Sequence, residues 1–262
     1  MLRWIFLDIG NVLINDDPAM ALLYRELHRA MCSLGYRLGF PELLAEREEL
    51  IRTRGTEHWA VLGSKYLGEK GHGTLMHRCA SRMRADYMSS HTLMPGMAEA
   101  VQVLSERYKL GVIANQLKEV LDALDALGLG RCFQVKAVSE VVGVRKPDPA
   151  LYRWALDRAA CQPREAVMVG DRTDNDIAPA RALGMWTILF RVPHEAKGYV
   201  PGDEFERLYF ESQNRESISR IAPSSPNEIP DAQAEDVSDL LNAIEQVRQR
   251  AESSSEEIPS RR

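Results

Sequence analysis

Five short strand-like runs, four of them apolar, are set apart by helical patterns and constrain this chain more than any other feature. They lie at residues 4–7, 110–114, 134–138, 166–169 and 186–190. Short apolar runs between turn-forming residues suit strands covered on both faces. From Pro95 onward helices alternate with them. One carries Val101, Leu104 and Tyr108. The next carries Val120, Leu121, Leu124 and Leu127 and stops at Gly128. Asp148 and Pro149 open a third, as cap and first helical residue. A fourth runs from about 175 to 183. This alternation predicts an α/β fold, a mostly parallel sheet with helices on both faces.

Between the first two runs the pattern is helical throughout, from about 19 to 89. Leu22, Leu23, Leu27 and Met31 recur at helical spacing, as do Leu43, Leu44, Leu50 and Ile51. A further helix carries Leu75, Met76, Met83 and Tyr87. These stripes read as packing. The predicted organisation is a core made of 1–16 and 92–250, with 17–91 as an inserted helical block. Residues 191–228 read as an irregular excursion of the core, with one aromatic cluster at Leu208, Tyr209 and Phe210. Val237, Leu240, Leu241, Ile244 and Val247 mark a last amphipathic helix, and the Ser- and Glu-rich 251–262 read as a disordered tail. A block inserted after the first strand lies beside the sheet's carboxyl edge and is placed to act as a lid.

Composition narrows the function classes. The net charge of -5 argues against a general nucleic-acid or anionic-membrane binder. No run is long and apolar enough to span a bilayer. Cys32, Cys79, Cys132 and Cys161 are scattered, with no metal-ligand spacing, and read as reduced core thiols. The N-terminus lacks a signal-peptide pattern, so a soluble cytoplasmic protein is expected. Oligomeric state is left open.

Four segments carry the chemistry. Asp8 ends the first run and Gly10 follows two residues later, which predicts a sharp turn there. An acid at the carboxyl end of a strand lies where open α/β sheets bind ligands, although an Asp there commonly just forms a turn. Lys146 sits between a strand and a Pro-fixed helix start, where an ammonium is able to meet a phosphate or a carboxylate. The ordinary reading is a solvated charge. Asp171 directly follows the fourth run, with Asp174, Asn175 and Asp176 close behind, one of which is a candidate cap. Clustered carboxylates call for a cation or a proton, and oxygen-only ligands favour Mg²⁺. Asn115 follows the second run; its amide and nearby N–H groups suit an anion, and an ordinary turn is the alternative.

Together, Asp8-Ile9-Gly10-Asn11-Val12-Leu13, Ile113-Ala114-Asn115, Lys146-Pro147-Asp148-Pro149 and Gly170-Asp171 with Asp176 resemble the four ordered motifs of haloacid dehalogenase (HAD) superfamily phosphohydrolases. The resemblance covers the chain to about Phe190. It implies a Rossmann-like, doubly wound parallel sheet with a small α-helical cap of the C1 type inserted between the first two motifs. It also implies a magnesium-dependent phosphatase of small phosphorylated metabolites. Asp8 would be the nucleophile and form an aspartyl-phosphate. Mg²⁺ would be held by Asp8, Asp171 and the Gly10 carbonyl, supported by Asp176. Lys146 would balance charge, and Asn115 with the N–H groups of Ile9 and Gly10 would cradle phosphate oxygens.

Two positions depart from that pattern. The family usually has a second Asp where this chain has Gly10, and a Ser or Thr where it has Ala114. The D-x-G-N-V form resembles that of bacterial α-glucose-1-phosphate phosphatases. Loss of a general acid is worth about 10²–10⁴-fold, so the expectation is a slow phosphatase, or one favouring substrates whose leaving group needs little protonation. Asp16 and Asp17 read as hinge residues, with a substitute acid as the alternative. His58 reads as a packing residue, with a reach from the cap into the site as the alternative. Two further functions stay open: a catalytically impaired member that binds a phosphometabolite or a protein, and a haloacid dehalogenase.

Overall fold

The computed structural model describes residues 1–256. In chain order the first elements are β1 (Trp4–Leu7), β2 (Ile14–Asn15), α1 (Asp17–Ser33), α2 (Phe40–Arg52), α3 (His58–Ala85) and β3 (Thr92–Leu93). Next come α4 (Met97–Ser105), β4 (Lys109–Ala114), α5 (Val120–Ala126), β5 (Phe133–Val138), α6 (Ser139–Val142) and α7 (Pro149–Ala159). The last are β6 (Ala166–Gly170), α8 (Ala178–Ala182), β7 (Trp186–Phe190), α9 (Glu204–Arg215), β8 (Ala232–Ala234) and α10 (Val237–Glu256). They form two units. An α/β unit takes in Met1–Ile14, Leu93–Pro193 and the chain from 222 onward. A helical unit takes in Asn15–Thr92 and His194–Ile221.

The α/β unit is built on a six-stranded sheet in the order β5-β4-β1-β6-β7-β8. Every neighbouring pair is parallel. β1 is central, and all four of its side chains are buried, as its unbroken apolar run requires. Ile5 pairs with Leu110 on one side and Val167 on the other. On one face Trp4, Phe6 and Met168 pack with Leu151, Tyr152 and Ala155 of α7. Asp148 caps α7, accepting the Ala150 N–H at 2.8 Å. After β5 the chain returns to the other side of β1 to form β6. The strand order reverses there, and such reversals open a crevice at the carboxyl ends of the strands.

Several expectations change. The helix expected from 175 starts only at Ala178, because Thr173–Ile177 form a wider turn of the π type. Tyr87 lies beyond α3, in a short turn. The expected tail is helical to Glu256, and 257–262 fall outside the described residues. β8, too short and polar to stand out, adds a sixth strand. Of the four thiols only Cys79 is buried. Among the described residues no helix is long and apolar enough to cross a membrane.

The helical unit corrects the largest boundary. Residues 194–221 belong to it, where the sequence reading placed them in the core. Tyr209 and Phe210 of α9 bury among Leu23, Tyr24, Leu27, Phe40 and Leu43. Within its own segment the aromatic cluster finds only partly buried partners such as Tyr199, which stacks on Phe210 at 5.2 Å between ring centroids, and its buried partners come from distant helices. Polar contacts join the same pieces. Arg47, 1% exposed, donates to Ser212 Oγ and the Glu216 carbonyl at 3.0 Å, and to Gln213. Asp17 accepts from His194 Nδ1 (2.7 Å), Lys197 Nζ (2.8 Å) and Gln213 Nε2 (2.9 Å). His58 is buried with Nδ1 2.5 Å from the Tyr24 hydroxyl, a packing role.

Burial alone would raise the Asp17 pKa, but Lys197 and His194 outweigh it and hold the carboxyl well below the usual range. Asp17 is therefore an ionised acceptor and no substitute acid. A depressed carboxyl stabilises the fold above its unfolded pKa of about 4 and loses that contribution as pH falls below it. Asp17→Asn should strip the buried Lys197 of its counter-ion and cost about 3–5 kcal/mol in urea unfolding at pH 7. The gap between the variant and the parent should narrow below about pH 4.

Candidate active site

Each chemical residue stands where a strand or its connection ends in the α/β unit. β1 delivers Asp8, whose N–H still donates to the Val169 carbonyl at 2.8 Å. The chain then turns at once: the N–H groups of Leu13 and Ile14 both reach the Ile9 carbonyl, at 2.9 and 2.8 Å. The left-handed residue of this turn is Asn11, with φ 55°, and not Gly10. Asparagine is among the few residues that tolerate that region. The Ile9 N–H donates to Asp8 Oδ1 at 2.8 Å. It is thus committed to the carboxylate, not held open for an anion as the sequence reading had it.

Lys146 is the meeting point. Its Nζ lies 2.7 Å from Asp8 Oδ1 and 2.6 Å from Asp176 Oδ1. Asn115 aims it: Asn115 Nδ2 donates to the Lys146 carbonyl at 2.9 Å, and the Lys146 N–H donates to Asn115 Oδ1 at 2.8 Å. The Asn115 carboxamide therefore acts chiefly as a strap on the Lys146 main chain, which its residue type alone did not reveal. Ala114 is fully buried at the end of β4.

The acidic loop after β6 completes the cluster. Oxygens of Asp8, Asp171 and Asp176 lie within 4.8 Å of one another, and all three residues are buried. The second Asp176 oxygen accepts the Arg172 N–H at 3.1 Å. Neither cap candidate caps a helix with its side chain: Asp174 pairs with Arg172, Oδ2 to Nη2 at 2.6 Å, and the Asn175 carbonyl accepts the Tyr152 hydroxyl at 2.7 Å. Sequence reasoning missed Tyr152, since a tyrosine on an amphipathic helix reads as core. It also missed Arg191, whose Nε is 3.5 Å from the Asp171 carbonyl.

Electrostatics follow from this crowding. Burial pushes the Asp8 carboxyl up to about 8; Lys146 opposes the shift, while Asp176 and Asp171 add to it. Burial would lower the Lys146 pKa, but Asp176 and Asp8 reverse that and keep it charged. Three carboxyl groups thus face one buried ammonium. Such an arrangement can hold an ion and present a nucleophilic oxygen beside a fixed positive charge.

Gly170 makes the cluster possible. A Cβ there would stand 2.3 Å from Asp176 Cβ, an overlap that no rotamer relieves. Gly170→Ala should cost about 1–3 kcal/mol in urea unfolding, the usual range for overpacking. Full stability in that variant would show that Asp176 does not need this close approach.

Comparison with known proteins adds the family. A model for "haloacid dehalogenase-like hydrolase" matches residues 2–184. The chain is 27% identical over 198 residues to the glyceraldehyde 3-phosphate phosphatase of Methanocaldococcus jannaschii, covering 72% of this chain and 84% of that protein. It is 34% identical over 199 residues to the protein of the same name from Pyrococcus furiosus, covering 72% and 81%. The HAD-hydrolase YfnB of Bacillus subtilis shares the fold, with a TM-score of 0.63 at 16% identity over 92% of this chain and 97% of that one. Motif order, strand placement and these matches agree: the chain belongs to the haloacid dehalogenase-like hydrolase family and is a hydrolase.

Proposed function

We propose that this chain is a magnesium-dependent phosphatase, a phosphoric monoester hydrolase of small phosphorylated metabolites. The observation that carries the reading is the buried Lys146 ammonium between Asp8 and Asp176, with Asp171 beside them. Relatives named as glyceraldehyde 3-phosphate phosphatases support the substrate class.

The residues fit Mg²⁺. The donors are all oxygen and compact, three carboxyl groups beside one ammonium. Asp8, Asp171 and the Gly10 carbonyl would hold the ion. Asp176, whose two oxygens already accept hydrogen bonds, would support it from behind. When bound, the ion neutralises phosphoryl charge and offsets the burial that raises the Asp8 pKa.

The chain's own residues supply the rest. Lys146 and the Ile9 N–H hold Asp8 Oδ1, which leaves Oδ2 to attack phosphorus in line. The bond from phosphorus to the substrate oxygen breaks as the Asp8–phosphorus bond forms. Water then cleaves the aspartyl-phosphate, releasing inorganic phosphate and restoring Asp8. Lys146 balances the charge of both states. The Gly10 N–H and the second Asn115 N–H would steady phosphate oxygens, a role supported by the turn's own bonds using Asn11, Val12, Leu13 and Ile14.

A screen of phosphorylated metabolites with Mg²⁺ and with EDTA tests the reading. Turnover should require Mg²⁺ and vanish in Asp8→Asn. Activity that survives either change would overturn it. Gly10 offers no carboxyl to protonate a leaving alcohol, and Asp17 is engaged elsewhere. Aryl phosphates, whose leaving groups need little protonation, should therefore turn over about 10²-fold or more faster than simple alkyl phosphates. Equal rates on both would mean that another acid serves.

A further inference from the structure

The match to the family ends at residue 184, yet the α/β unit continues through 222–256. That extension touches the acidic loop. In the short turn Pro226–Glu228, the buried Glu228 uses Oε2 to accept from Thr173 Oγ1 at 3.3 Å and from the Ser224 N–H at 3.1 Å. Its Oε1 accepts from Ser224 Oγ at 2.6 Å. Thr173, 3% exposed, lies between Asp171 and Asp176. Three residues past Glu228, Asp231 accepts from the Thr187 N–H (2.9 Å) and Oγ1 (2.8 Å) and from Arg181 of α8 (2.7 Å). β8 then pairs with β7, and its Ala234 carbonyl takes the Arg191 N–H at 2.8 Å.

The loop needs outside support. Thr173–Ile177 form one short turn of the π type, in which the Asp176 and Ile177 N–H groups return to the Arg172 carbonyl and the Ala178 N–H to the Thr173 carbonyl. Wide turns of this type are rare and occur frequently at functional sites. Metal-holding carboxylates depend on neighbours that fix their orientation.

We propose that the turn from Ser224 to Glu228 forms a built-in brace for the acidic loop, and that Glu228 is a positioning residue. Acting through Thr173, it holds Asp171 and Asp176 at the separation a divalent cation requires. The inference rests on the metal site of the proposed phosphatase.

The test measures Mg²⁺ binding to the full chain by calorimetry, without substrate. Glu228→Ala should weaken Mg²⁺ affinity about 10-fold, the usual scale for residues behind metal ligands. Thr173→Val should act in the same direction, and Glu228→Gln, which keeps an acceptor, should stay close to the parent. Asp231→Asn is the control: it should lower the melting temperature and leave Mg²⁺ affinity unchanged. The brace is overturned if folded Glu228→Ala binds Mg²⁺ like the parent, if Asp231→Asn weakens binding equally, or if the parent binds no Mg²⁺. Should Glu228→Ala fail to fold, Thr173→Val decides by the same criterion. A parent that binds Mg²⁺ and responds to these variants, but hydrolyses no phosphate ester, would sink the phosphatase reading and leave the brace standing.

Discussion

One buried ammonium organises the candidate site. Lys146 Nζ sits between carboxylates from two different strand ends, within 2.7 Å of each. It opposes the rise that burial imposes on the Asp8 carboxyl, where an isolated charge would be penalised severely. The surrounding parts serve that contact. Asn115, from the end of β4, grips the lysine's main chain on both sides of its hydrogen-bonding capacity. Gly170 removes the side chain that would keep Asp176 away. The parallel registers of β1 with β4 and β6 bring these three strand ends level.

The helical unit solves a different problem. Its core draws on two stretches of chain far apart in sequence, and the second arrives only after β7. Apolar packing alone does not specify how a late helix docks, since apolar contacts are non-directional. Here directional contacts accompany it. Arg47 and Asp17, both buried, each reach side chains in or just before α9. The chain consequently passes between its two units four times, whereas a simple insertion needs two passages.

The site was largely legible because its residues sit at strand ends, and strand ends can be read from short apolar runs. Asp8, Lys146, Asp171 and Asp176 all lie where those runs stop or in the loops beyond them. What residue type failed to convey was partnership. Asn115 looked like an anion ligand and is mostly a strap for Lys146. Asp17 looked like a hinge residue, with a spare acid as the alternative, and is the ionised centre of a buried network. Gly10 looked like the turn's special residue, yet Asn11 takes the left-handed conformation. Glu228 gave no signal, since one glutamate in a Ser- and Pro-rich stretch looks like solvent-facing charge.

By itself the sequence determined the alternation of strands and helices, the family, and which acids and which lysine end the strands. These are local properties: hydrophobic period, turn chemistry and the order of residues along the chain. Only the tertiary structure decided which unit residues 194–221 join, which oxygen of each carboxylate is occupied, and how the extension after β7 reaches the acidic loop. Those outcomes depend on side chains that reach the same buried acceptor from more than a hundred residues away, as His194 and Lys197 do at Asp17 Oδ2. No local pattern encodes that convergence, because a buried polar group is satisfied by whichever partner the folded chain brings within reach.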